Sequence, residues 1–371
     1  MLLPKNPFAK TNHFGISFSD SSIRGLSLDS QGTIQATAEV SLANPIISGQ
    51  AAHADSLTQA INELKQRGSF VSPYAAVCLP EKYAFSREHT LPLTNFTEIH
   101  EALNWQIEKI FPFQKQDIYF DWKLLHQAKT ETQVLVTAIQ KKFLDSLKDA
   151  FEQAGIFPIS FEPSASALSR LVSPQATSRL IIIEVENGGT TATLVINNIS
   201  TLTTTTIITP TTPPAVILQD ILASLAALVD RAKPTETTTS PLNLILTGEK
   251  ATPQLADLLS REIKLPTTVL SVPPLTPAYH LAYIAATSTI LPPASERSIN
   301  LLPTALQEYY QAQIQLSTTK SALKILVPLF GLSLLISLVS LGALAFATVS
   351  LNRQIAQAQA EPSPTGPEGL N

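Results

Sequence analysis

Few residues in this chain are of types that do covalent chemistry. The one cysteine, Cys78, lies in the apolar run from Ala75 to Leu79. A thiol there is expected to be buried and inert, and a lone cysteine excludes both an internal disulfide and a cysteine-rich metal site. The six histidines never fall within one helical turn of each other, so no local zinc motif exists. Neither a G-x-S-x-G nucleophile turn nor a Walker-type phosphate loop occurs. What remains are turns rich in small and hydroxyl residues. One is Ser19-Asp20-Ser21-Ser22, followed by Arg24; the other is Gly188-Gly189-Thr190-Thr191, after Glu184 and Glu186. A plain hairpin turn is the simplest reading of the second. The net charge of −4 and a pI near 5.9 offer no basic footprint for nucleic acid.

The elements that must position these turns form two similar series. Phe14–Phe18, Arg24–Leu28 and Thr33–Val40 read as short strands. A helix follows from Asp55 to Arg67, with Leu57, Ala60, Ile61 and Leu64 on one face and Gly68 as its stop, and then a buried strand, Ala75–Leu79. The order then repeats: strands Leu180–Val185, Thr193–Asn197 and Thr201–Ile208, helix Ala215–Ala232, strand Leu242–Leu246, helix Thr252–Ile263. Hairpins that cross over through a helix to a further apolar strand predict mixed sheets with helices on their faces. Between the halves, Asn95 with Glu98 reads as a capping box for a helix to Ile110. Ile118, Phe120, Trp122 and Leu124 alternate as a half-buried strand, Gln133–Ile139 is another, and Lys141–Ala154 is an amphipathic helix ended by Gly155. This predicts a small α+β insert.

With 371 residues, a charged fraction of 15 % and mean hydropathy of +0.15, the chain is apolar for a soluble protein. Ile325 to Leu351 contains no charged residue, and about 20 apolar residues suffice to cross a bilayer core. Pro328 is expected in the first turns of that helix, where it is best tolerated. The sequence from Met1 to Phe14 has no continuous apolar stretch resembling a signal peptide, and Lys320 and Lys324 precede the span while Arg353 alone follows it closely. A cytoplasmic N-terminal part and a short periplasmic tail are therefore expected.

Several stretches carry a family resemblance. The segment Gly15 to Arg24 resembles the first phosphate loop of the PilM family of type IV pilus assembly proteins and of the related FtsA family. The run Ala102 to Phe113, followed by Asp117 and Asp121, is similar to the PilM insert, and Gly155 through Glu162-Pro163 to Ala167-Leu168 resembles the passage into the second half. Ile299-Asn300-Leu301-Leu302-Pro303 resembles the cytoplasmic peptide that opens PilN, likewise ahead of a single membrane helix. The GspL family of type II secretion has a similar layout.

The resemblance implies an α/β, actin-like (ribonuclease-H-like) two-lobed fold. The first lobe comprises residues 12–85 and 156–175, the insert 86–155, and a second lobe with a reduced subdomain 176–290. Residues 291–324 are a linker with the PilN-like peptide and a polar helix, 325–351 a transmembrane helix, and 352–371 a short disordered tail. In actin-fold ATPases two glycine-containing hairpins hold the phosphates and an aspartate in each organises the metal. Here Ser17 and Ser19 replace Asp and Gly in the first hairpin, Glu184 and Glu186 replace them in the second, and Glu249 follows Gly248 in the adenosine loop. Glu162 matches a water-orienting position. Were ATP to bind, Ser21, Ser22, Arg24, Gly188, Gly189, Thr190, Thr191 and Gly248 would be the residues to hold it. No cofactor, metal or catalysis is expected. The implied role is an inner-membrane scaffold of a pilus or secretion platform, with PilN/PilO-like partners and scope for self-association. Ile299, Asn300, Leu301, Leu302 and Pro303 are its expected docking peptide, with Asn300 buried and hydrogen-bonded to backbone. A nucleotide-switched ATPase and an FtsA-like filament tether are the alternatives.

Overall fold

The computed structural model describes residues 13–29, 31–42, 54–171, 179–197, 199–208, 213–232, 241–288 and 298–360. Two compact units divide the chain, Met1–Gln311 and Ala312–Asn371. The start of the expected linker, residues 291–297, and the tail from Glu361 lie outside the described residues.

In the first unit, β1 (His13–Phe18), β2 (Ser22–Leu28) and β3 (Ile34–Ser41) form an antiparallel meander. Helix α1 (Ala54–Arg67) then crosses over to β4 (Tyr74–Leu79), which lies parallel to β1. Every residue of β1 is buried and β4 is nearly so, as strands covered on both faces must be, and this is why they read as unbroken apolar runs. Edge strand β3 instead alternates buried or half-buried with exposed positions.

The chain leaves this sheet through β5 (Ala84–Pro92), α2 (Ile99–Ile110), β6 (Ile118–Gln127) and β7 (Glu131–Gln140), whose strands make an antiparallel sheet in the order β5-β7-β6. Leu103 and Ile107 of α2 pack on Val134, Val136 and Ala138 of β7. The capping box at Asn95 is not made. Phe96–Glu98 forms a 3₁₀ turn before α2, and Asn95 Nδ2 donates to Glu98 Oε2 (3.3 Å) in place of the reciprocal bonds to backbone. Helix α3 (Lys141–Gln153), expected within the insert, packs instead against α1 and the returning strand β8 (Phe157–Pro163). Its buried face of Phe143, Leu144, Leu147, Ala150 and Phe151 finds apolar partners there, with Phe151 edge-on to Phe18 and Phe161. Strand β8 pairs in parallel with β4 and completes a sheet ordered β3-β2-β1-β4-β8.

After α4 (Ser164–Leu171), the plan repeats with β9 (Arg179–Glu186), β10 (Gly189–Ile196), β11 (Ile199–Ile207), α5 (Pro214–Arg231), β12 (Leu242–Thr247), α6 (Pro253–Ile263) and β13 (Thr267–Val269). The second sheet, β11-β10-β9-β12-β13, has the same topology as the first. Helix α7 (His280–Thr287), in the stretch expected to belong to the second lobe, returns to the first sheet and packs on β1, β2 and β4. It comes so close that a Cβ at Gly15 would overlap the Ala282 carbonyl oxygen. Glycine is therefore required in the middle of β1.

The last helix, α8 (Thr304–Ala360), contributes its first turns to the first unit. Its segment Leu326–Gln357, whose most apolar 18-residue stretch has mean hydropathy 2.3, is long and apolar enough to cross a membrane. Two expectations are corrected by its length. Pro328 lies in the helix interior, not in its first turns, because the helix has already begun at Thr304, and residues 352–360 of the expected disordered tail are helical.

Candidate functional site

The two hairpin turns and the Gly248 turn face each other at one end of the two sheets. The first turn satisfies itself. Ser19 N–H donates to Ser22 O (2.8 Å), while Ser19 Oγ accepts from the backbone N–H groups of Ser21 (3.4 Å) and Ser22 (3.1 Å) and lies 3.0 Å from Ser22 Oγ. Backbone amides that a phosphate would need are thus held by a hydroxyl of the same turn. Ser17, where a metal-organising aspartate would stand, is buried in β1.

In the second turn, Gly188 lies against the Asp20 carboxylate, where a Cβ would overlap it. Asp20 in turn pairs with Lys82. Gly189 leads into β10 against the Thr206 carbonyl, Thr191 Oγ1 lies 3.4 Å from Thr205 Oγ1, and Thr190 is buried with no hydrogen-bond partner for Oγ1 among the described residues. Gly248 adopts φ +95°, a conformation suited to glycine. The following residue, Glu249, donates its N–H to Glu186 Oε1 (3.1 Å).

Arg24 connects these parts. Only 4 % of its side chain is exposed, and each arm of the guanidinium meets a different carboxylate: Nε with Glu39 (2.9 Å), Nη1 with Glu186 (3.5 Å) and Nη2 with Glu249 (2.8 Å). Burial alone would lower its pKa, but Glu186, Glu39 and Glu249 together raise it, so the charge is secure. Beneath it, burial pushes the Glu184 carboxyl up to about 8, helped by the neighbouring charge of Glu186 and opposed by the Ser164 hydroxyl that donates to it (2.7 Å). Burial likewise brings Glu81 to about 7, against the Ala165 N–H that donates to it (3.0 Å). Glu162 is held by Arg170 and by Ser166 Oγ (2.8 Å). The cavity left among Asp20, Lys82, Glu184, Glu186 and Gly189 is about 40 Å³. That is room for one or two waters. Glu39, Lys82, Glu81 and Ser164 escape a reading of the sequence because they enter from distant segments.

A second site lies at the opposite edge of the first sheet. Ile299, Leu301 and Leu302 are 1–2 % exposed. Leu301 N–H donates to Phe161 O (2.9 Å), and Asn300 Oδ1 accepts from the N–H groups of Phe161 and Leu302 (both 3.1 Å). The segment thus covers the free edge of β8, whose unpaired backbone groups need partners. From the β5-β7-β6 sheet, Asp121 Oδ2 accepts the Asn300 N–H (2.8 Å) and Oδ1 the Trp122 N–H (2.8 Å); burial nevertheless raises its carboxyl to about 6. Pro303 accepts from the N–H groups of Leu306 and Gln307 as α8 starts, and Tyr310 OH donates to Glu152 (2.9 Å). Beyond the segment a groove of about 890 Å³ continues between α2 and β6, lined by Phe96, His100, Phe120 and Trp122 among others.

No curated protein sequence matches the chain. Among solved structures, a PilM-PilN type IV pilus biogenesis complex is 15 % identical, with 74 % of this chain and 97 % of that one covered at a TM-score of 0.60. The cytoplasmic domain of EpsL, an inner-membrane component of the type II secretion system of Vibrio cholerae, is 13 % identical over 79 % and 99 %, at 0.47. A Bacteroides thetaiotaomicron protein with an actin-like ATPase fold is 13 % identical over 76 % and 98 %, at 0.43. The fold is actin-like: two sheets of one topology facing across a cleft, with a small sheet inserted in the first. The profile of the family described as Type IV pilus assembly protein PilM matches residues 15–209, more than half of the sequence, and the chain belongs to that family.

Proposed function

We propose that this chain is a non-catalytic, membrane-anchored scaffold of a type IV pilus inner-membrane assembly platform, its actin-like body cytoplasmic and its short C-terminal tail periplasmic. The observation that carries the reading is the occupation of the cleft by the chain itself. Asp20 lies against Gly188, Ser19 holds the amides of the first turn, and about 40 Å³ is left over. Hydrolysis would further require a metal held by aspartates, and Ser17 and Glu184 stand at those two positions, the latter holding its proton to about pH 8. Anchoring is supported by Leu326–Gln357, and PilN/PilO-like platform proteins are the partners proposed.

The test is membrane extraction coupled to co-purification of the full chain from its native cells. The protein is expected to remain in the inner-membrane fraction after an alkaline wash and, in detergent, to bring down platform proteins whether or not ATP has been depleted. Release by alkali would contradict the anchor, and partner recovery that depends on ATP would contradict a nucleotide-free scaffold.

A further inference from the structure

The cleft faces are crowded with like charge. From the first-sheet side come Asp20, Glu39 and Glu81, and from the second-sheet side Glu184, Glu186 and Glu249. Of the six, burial raises Glu184 to about 8 and Glu81 to about 7, so the first is mostly and the second half proton-bound at neutrality, and Asp20 is neutralised by Lys82. That leaves Glu39, Glu186 and Glu249 around the Arg24 guanidinium, with the exposed Lys250 ammonium 3.8 Å from Glu249 as a further, outer cation. Like charges in a poorly solvated cleft repel strongly, so these two faces would part unless a cation held them.

We infer that Arg24 is an interlobe strut, which holds the two lobes closed with no ligand between them. It grows from β2 of the first sheet, and two of its three arms end on Glu186 and Glu249 of the second. The guanidinium is a rigid fork whose donors meet carboxylates at fixed angles, so the pair distances also fix the relative setting of the sheets. The third arm, to Glu39 of β3, keeps the fork from swinging. The Glu249 N–H to Glu186 bond closes a ring, and Asn187 Nδ2 adds a second crossing, 2.7 Å from Glu249 Oε1 and 3.5 Å from Ser21 Oγ. Breaking one side of such a buried cluster leaves charge unpaired in the cleft, and separation of the lobes relieves it by admitting water. The consequence is a permanently closed joint: a body whose two lobes transmit position from the β8 edge to the rest of the platform without waiting for a ligand.

The experiment measures the interlobe distance in the full chain in detergent micelles. Spin labels are placed at the exposed positions Gln35 of β3 and Gln254 of α6, with the buried Cys78 left in place. Wild type is expected to give one narrow distance distribution. Arg24→Met, and the milder pair Glu186→Gln with Glu249→Gln should the first variant fold poorly, are expected to lengthen the mean by several ångströms and to broaden it. Glu39→Gln, on the same guanidinium but the same lobe, is expected to leave the mean in place. Distributions in the cross-lobe variants that match wild type would overturn the strut, as would an equal lengthening in Glu39→Gln. A wild-type distance that magnesium-ATP shortens would instead sink the nucleotide-free scaffold reading, which the variant comparison does not touch.

Discussion

At the scale of single residues, the cleft is governed by where protons sit. Glu184 would ionise near 4.5 in an unfolded chain, and burial moves it to about 8 in the folded one. Between those values the folded state holds a proton that the unfolded state has lost, so stability falls as pH rises through this window and levels off above it. Glu184→Gln keeps the acceptor for Ser164 and removes the ionisation. We expect thermal melts of this variant to match wild type near pH 4.5 and to exceed it increasingly up to pH 8. The gain should be on the order of 3–5 kcal/mol, because each tenfold change in proton affinity is worth about 1.36 kcal/mol. A constant offset across that range would show that the carboxyl is not the titrating group. Little of this is legible in the sequence. The turn residues Ser21, Ser22, Gly188, Gly189 and Gly248 stand out by type, whereas the partners of Arg24 lie 15, 162 and 225 residues away in sequence, and no local pattern reports such separations.

At the scale of elements, the strands with continuous or alternating apolar patterns are readable, and those that break the patterns are not. Strand β8 carries Pro158 and Pro163, which read as interruptions, yet an edge strand tolerates proline. Strand β5 has Arg87 and Glu88 at its centre, and α7 is only eight residues long. Both take their place from packing rather than from local preference. The covering of β8 by residues 299–302 explains why Asn stands among apolar neighbours there. Its amide answers the strand's backbone, and without those bonds a buried amide would offset much of the apolar gain. Asn300→Ala and Leu302→Asp are expected to release the segment, visible as new protease cleavage between residues 288 and 304. Ser288 and Ser298 line the same groove, and ten residues span at most about 33 Å, so a link of that length suffices to join them within one chain. Light scattering of the full chain in detergent should therefore give the same mass for variants and wild type. A wild-type oligomer that the variants dissociate would show that the segment is exchanged between copies.

At the scale of the whole molecule, the same topology is used twice, and the two sheets carry different additions. The first sheet has gained an inserted sheet, an edge site filled by the chain's own segment, and α7 against Gly15. The second keeps the glycine turns of a phosphate-holding fold but lines them with Glu184, Glu186 and Glu249. On the function proposed above, Arg24 and Asp20 do between the lobes what a nucleotide would do, and the apolar helix carries the anchoring. The most direct test is a thermal melt of the full chain in detergent with magnesium-ATP raised to millimolar concentration. A ligand at a hundredfold excess over its dissociation constant stabilises by about 2.7 kcal/mol, a readily visible shift. The account predicts a melting temperature unchanged by magnesium-ATP; a saturable rise with ATP concentration would contradict it.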